Sequence, residues 1–376
     1  MILYLKFINI LMSFRKYFAF LILSSFVLIN FPSTAQTSTA DFSALENFWN
    51  ITGKLQKNET PYEQEWIDMF NCIGYKSLRN DEGIRSNIEL VFTPGRKSEL
   101  DSALMSAGYW WKRDLLHLIS VKEKQEVLKL YSKEIDIDKI LMQSLELAET
   151  YLPKGITKLH EPPPVMFVIF SPDARAMGGN IIFDLKFTMD IGENLLIQTL
   201  AHEAHHYYCN FIPSELNPPS EESSYDPIYS TLRQLQLEGV ADLIDKEDYI
   251  LYQKNDTAGS FVKMWNEAQQ QQSVKMKILD SMLCVMAVDT NGMYETGVTA
   301  FRMFPVNCHP NGNYMAKLIL KHFGAESIIK SMKNPFQFFR LYKDACIVEG
   351  NEYVLSDNAM AYLDDLEKIF LIPDIK

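Results

Sequence analysis

"LLIQTLAHEAHHYYCN", residues 195–210, packs three of the chain's seven histidines into five positions. A helix turns about 100° per residue, so His202 and His206 fall roughly 40° apart, one turn from each other. Leu196, Ile197, Leu200, Ala204, Tyr207 and Tyr208 gather on the opposite face. One side of such a helix can pack into a core while both imidazoles converge on one point. Residues 202–206, His-Glu-Ala-His-His, read HExxH. Imidazoles at i and i+4 can share one zinc ion. Glu203 is offset enough to stay off the metal and near enough to take a proton from a water there. His205 falls about 60° to the other side and is left out of the ligand set.

Upstream, Asp190 and Glu193 have the spacing of a capping box, which predicts a helix from there to about Cys209. Three prolines, Pro162 to Pro164, precede an apolar, β-rich run, Val165 to Phe170. The segment "SPDARAMGGN" (171–180) reads as a turn, and Ile181 to Phe187 as a second strand. Downstream, the polar loop Pro213 to Pro227 is expected as a lid, followed by a helix from Ile228 to Ile244.

Further out the pattern is helical. "DFSALENFWNITGKL" (41–55), "PYEQEWIDMFNCI" (61–73), "EGIRSNIELVF" (82–92), "VKEKQEVLKLYSKE" (121–134) and "IDKILMQSLELAETYL" (137–152) all carry apolar residues at three-and-four spacing. Trp110 and Trp111 are expected in the core. "NYMAKLILKHFG", "ESIIKSMK", "PFQFFRLYKDA" and "SDNAMAYLDDLEKIF" continue the helical pattern to the C-terminus. The fold class is therefore α+β and mainly helical, with a small antiparallel or mixed sheet just before the histidine helix. An N-terminal helical region, residues 36–155, precedes the metal-site region, residues 156–376.

Zinc that acts in catalysis takes three protein ligands and keeps one position open. Candidates for the third are His309, His322 and the acids of "LRQLQLEGVADLIDK" (232–246). Glu238 and Asp242 are four apart on one face. The glutamate can ligate zinc, and the aspartate can accept a hydrogen bond from the far nitrogen of a ligand histidine. Gly239 and Ala241 are expected to let this helix approach the histidine helix closely.

HExxH followed on a later helix by ExxxD resembles the glutamate-zincin metallopeptidases, of which thermolysin is the familiar example. More narrowly, "HEAHH", "EGVAD" and "GNYMAKLILKHFG" resemble bacterial families that carry only a provisional zinc-dependent peptidase description. The resemblance implies a zincin-like core with His202, His206 and Glu238 on Zn2+, Glu203 as general base and Asp242 orienting a ligand histidine. It also implies a peptide or protein substrate laid along the strand Ile181 to Phe187 as sheet edge. The metzincin pattern HExxHxxGxxH is absent. Such enzymes need a donor for the tetrahedral oxyanion. His309 and Tyr314, flanking the Pro-Asn-Gly of "FPVNCHPNGNYMAKL" (304–318), are the candidates, with Tyr314 slightly preferred.

Apolar content of 47% and charged content of 22% are ordinary for a globular protein. Residues 1–35 have Lys6, Arg15 and Lys16 before an apolar run, then small residues Ser33-Thr34-Ala35, and read as a secretory signal. The protein is thus expected to be exported, to the periplasm or the medium, from about Gln36. An uncleaved anchor is the alternative. Removing those three cations and no acids takes the net charge from −12 to −15, which argues against nucleic acid as partner. Beyond this segment no membrane contact is expected, and oligomeric state leaves no mark. Five widely spaced cysteines, with no CxxC, read mainly as buried free thiols, with one or two disulfides open as the alternative. The rival function is a non-catalytic exported binding protein, its zinc site vestigial or closed by His205 or His309 as a fourth ligand.

Overall fold

The computed structural model describes residues 39–253 and 260–372. The expected signal segment lies outside the described residues. Apolar residues at helical spacing set the first eight helices. In α1 (Ser43–Gln56) the positions Leu45, Phe48, Ile51, Thr52 and Leu55 are buried. It is followed by α2 (Glu63–Asn71), α3 (Ile73–Leu78), α4 (Asp81–Phe92), α5 (Lys97–Ser106), α6 (Tyr109–Glu123), α7 (Gln125–Glu134) and α8 (Ile137–Ala148), then a single turn, α9 (Ile156–Leu159). Trp110 and Trp111 open α6 and are both half-exposed rather than in the core. Arg113 stacks on the Trp110 ring, and the Trp111 indole donates to Asn87. Their polar edges and these partners keep them at the surface.

The sheet is small and mixed, in the order β1-β2-β4-β3. Strands β1 (Ala40–Asp41), β2 (Val165–Val168) and β4 (Asn180–Asp184) run parallel, while β3 (Ala174–Met177) pairs antiparallel with β4. Part of the segment read as a turn is strand β3, and 181–187 is not an edge: β4 lies inside the sheet, with β3 at one edge and β1 at the other. The hairpin closes through Gly178 and Gly179, both at positive φ, which a two-residue loop of this hand requires. Strand β4 stops at Asp184 because its buried carboxylate accepts from the Phe187 amide at 2.9 Å and starts a helix.

That helix, α10 (Leu185–Cys209), is interrupted at Gly192, whose φ of 74° redirects the backbone before the histidine segment. The capping box of Asp190 and Glu193 is not formed. Asp190 pairs with Lys186 and Lys124, and Glu193 with Lys139. Among the described residues seven helices follow: α11 (Asp226–Gln253), α12 (Ser260–Gln270), α13 (Gln272–Met286), α14 (Met293–Met303), α15 (His309–Ser331), α16 (Pro335–Glu349) and α17 (Asp357–Phe370).

Helix α8 packs against α10, and α11 lies between α10 and α15. Gly239 serves the second contact and not the first, contrary to expectation: a Cβ there would come 2.4 Å from the backbone of Gly312 on α15. The loop expected as a lid is anchored near its start to the C-terminal segment. The Asn217 amide donates to the Phe370 carbonyl at 2.7 Å, and the Ile372 amide to the Glu215 carbonyl at 3.0 Å. All five cysteines are free thiols, three of them buried. No described helix is long and apolar enough to cross a membrane.

Candidate metal centre

The regular turn of α10 brings His202 and His206 to the floor of a cleft of about 830 Å³, and α11 adds Glu238 from the side. His202 Nε2 is 3.1 Å from His206 Nε2, and Glu238 Oε2 is 3.0 Å from the latter and 3.6 Å from the former. Three ligands at roughly 2.0–2.1 Å from a tetrahedral zinc stand about 3.3 Å apart, so this triangle fits the ion. Two imidazole nitrogens and a carboxylate oxygen are also a donor set that zinc takes. The residues present therefore fit the metal that the motif implies.

The triangle is braced from behind. His202 Nδ1 faces Asp245 Oδ1 at 3.0 Å, with Asp242 farther off at 3.6 Å. The carboxylate that orients this histidine is thus Asp245, not the expected Asp242. On the helical wheel Asp245 lies roughly 20° from Glu238 and Asp242 roughly 40°, so the i+7 position was the better choice. Asp242 instead holds His309, whose Nδ1 is 2.9 Å from Oδ1 and 3.1 Å from Oδ2. Lys246, one turn on, bridges both aspartates at 3.3 and 3.2 Å. Gln234 donates to the second oxygen of Glu238 at 2.6 Å. Asp245, Lys246 and Gln234 were missed in the sequence, although Asp245 and Gln234 share the Glu238 face of α11 and Lys246 follows one turn after Asp242.

His309 Nε2 reaches to 3.3 Å from Glu238 Oε2. The four side chains His202, Glu238, Asp242 and His309 each offer a ligand atom within 4.8 Å of the others. Tyr314 is not brought to the cleft. One helical turn and a half beyond His309, it points elsewhere, and its hydroxyl donates to Glu352. His205 turns away as expected, toward the Tyr151 carbonyl at 3.3 Å.

Burial and these partners set the charges. Burial opposes the imidazolium of His202, as does Lys246, but Asp245 and Glu238 outweigh both and hold it well above the usual histidine range. Burial also opposes the charged form of His309, and Asp242 and Glu238 again reverse it. Glu238 stays well below the usual carboxylate range, since His309 and His206 overcome its desolvation. Glu203 goes the other way: burial pushes its carboxyl up. Its Oε2 accepts from the Ala176 amide of β3 at 2.6 Å. That amide consequently points away from β4, and with it the N–H and C=O groups of Ala174, two residues back on the same side, which have no backbone partner among the described residues. The open edge of the sheet thus faces the cleft beside Glu203.

A family model described as "Putative zinc dependent peptidase (DUF5700)" matches residues 58–350. No curated protein and no solved structure matches the chain.

Proposed function

The chain belongs to the family so described, and we propose that it is a metallopeptidase of the glutamate-zincin kind, with His202, His206 and Glu238 on zinc and Glu203 as general base. The observation that carries this reading is the ligand triangle at tetrahedral spacing, open to a cleft, with the buried Glu203 carboxylate beside it. Zinc, when bound, supplies Lewis acidity toward an amide carbonyl and toward water. Asp245 fixes the ring orientation of His202, and Gln234 that of the Glu238 carboxylate. Glu203 accepts a proton from the attacking water and returns it to the leaving amine, a task that burial favours by pushing its carboxyl up and making it a stronger base. His309, held by Asp242, offers its Nε2–H to the oxyanion that develops on the carbonyl oxygen. The free edge of β3 supports an extended peptide by strand addition.

The competing reading is a closed zinc site in a binding protein. It draws on the nearness of His309 to Glu238. Zinc content of the purified mature protein, wild type and Glu238→Ala, together with hydrolysis of a quenched peptide library, separates the two. Near one zinc per molecule, lost in Glu238→Ala, with cleavage by the wild type, supports the peptidase. Zinc retained by Glu238→Ala with nothing cleaved supports the closed site. We read the protein further as exported, on its basic-then-apolar N-terminal segment. A mature N-terminus near Gln36 in cell-envelope or medium fractions is the check, and an intact Met1 in the cytosol would contradict it.

A further inference from the structure

Among the described residues four arginine and lysine side chains line the cleft: Arg113, Arg175, Arg233 and Lys246. Three of them face carboxylates. Arg175 is 2.9 Å from Asp173, Lys246 bridges Asp242 and Asp245, and Arg113 lies 3.8 Å from Asp114. Arg233 differs, having no carboxylate within 4.0 Å among the described residues. Its Nη1 donates to Gln236 Oε1 at 2.6 Å and to the Met332 carbonyl at 3.0 Å. Gln236 is itself fixed, its amide donating to the Ser331 carbonyl at 2.6 Å. Two neutral acceptors therefore set the guanidinium plane, while Nε and Nη2 donate to nothing among the described residues. A guanidinium carries five donors in a rigid fork that matches a carboxylate with two parallel bonds. Holding that fork by one corner, in the cleft of a protein with net charge −12, leaves its other donors to a ligand.

The position is specific. Arg233 precedes Glu238 by five residues on α11, roughly 7.5 Å along the helix axis. Cys209 and Asn210, where α10 ends, line the same cleft, and Arg233 lies near enough to the buried Cys209 thiol for its charge to act there, while Phe187, Tyr249 and Phe261 line the cleft as well. Tyr249 packs edge-on to both of those phenylalanines, so the aromatic residues form one cluster.

We propose that Arg233 is the carboxylate-recognition residue of this cleft, so that the preferred substrate is a peptide carrying a carboxylate toward the C-terminal end of α10. The proposal rests on the peptidase reading only in taking the ligand to be a peptide. The carboxylate can be the peptide's own C-terminus or one of its acidic side groups, and three matched peptides tell them apart: a free C-terminal acid, its amide, and the amide with one internal glutamate.

Binding to the full-length, zinc-loaded Glu203→Gln protein is measured by calorimetry, with and without Arg233→Gln. One or both carboxylate peptides should bind roughly tenfold or more tighter than the neutral amide. The preference should vanish with Arg233→Gln and survive only in part with Arg233→Lys, which keeps the charge and loses the fork. Should Arg233→Gln fail to fold, Arg233→Lys decides alone, by a several-fold fall in preference. Tightening by the free acid alone identifies the C-terminus, and tightening by the glutamate peptide identifies a side group. Equal binding of all three, no binding of any, or a preference that outlives both substitutions overturns the proposal. Wild-type cleavage without charge preference would sink it and leave the peptidase standing, whereas charge preference without any cleavage would do the reverse.

Discussion

The last two turns of α10 and the first turn of α15 both deliver histidines to one centre, and they do so by opposite means. His202 and His206 ride on an ordinary helix, where the 3.6-residue repeat alone makes them converge. His309 opens α15 after Val306, Asn307 and Cys308, three successive non-glycine residues at positive φ. A β-branched valine there is an outlier, and such residues cost about 1–3 kcal/mol each unless their surroundings enforce them. Here the enforcement comes from α11, which meets α15 backbone to backbone at Gly239 and Gly312 and holds the His309 ring through Asp242. Local periodicity builds one half of the site. Tertiary packing builds the other.

The largest expected effect sets the two halves apart directly. His206→Ala should lose both zinc and hydrolysis, while His309→Ala should keep its zinc and lose roughly 10²–10³-fold in kcat. Metal analysis beside peptide turnover checks this, and loss of zinc in His309→Ala would make that histidine a ligand. Next, Gly239→Ala drives a methyl into the Gly312 backbone and should destabilise the protein by about 3 kcal/mol in urea unfolding. A change below about 1 kcal/mol, within ordinary helix propensity, would show that this contact does not fix α15.

The two aspartates sharpen the comparison further. Asp245→Asn should weaken zinc binding by about 10–100-fold, whereas Asp242→Asn should leave zinc affinity nearly intact and lower kcat. Competition with a chromogenic chelator reads the first and steady-state kinetics the second, and equal losses of zinc from both would contradict the division of labour drawn here. Smallest of all, Val306→Gly should relieve strain, raise stability by about 1 kcal/mol and reduce kcat through a looser His309. A variant that gains stability and keeps full kcat would mean that the strained turn does not position the histidine.

The same contrast explains what could be read in advance. The helix of residues 195–209, its HExxH face and the acid Glu238 follow from spacing, and spacing is a local property. So do α1, α2, α4 and α8. What failed depended on neighbours far away in the sequence. Strand β3 is four residues of Ala-Arg-Ala-Met beside a Gly-Gly turn, too short and too weakly apolar to announce itself before β4 supplies its partner. Asp184 took the capping role expected of Asp190 because the Phe170 amide, donating at 2.8 Å, could hold its carboxylate in the core beside His117. Tyr314 and His309 were indistinguishable by sequence, since the turn that aims one of them into the cleft consists of residues that rarely adopt its conformation. Asp245 is legible in the spacing, seven residues after Glu238 and about 20° from it on the helix, nearer than the i+4 partner Asp242.

The most direct test is Glu203→Gln, which removes the base and leaves every proposed ligand in place. The expected result is zinc near one per molecule, a melting profile like the wild type, and peptide hydrolysis lowered by roughly 10³-fold or more. Zinc-replete Glu203→Gln that cleaves peptides at the wild-type rate would contradict the assignment of Glu203 as the general base, the central claim about this cleft.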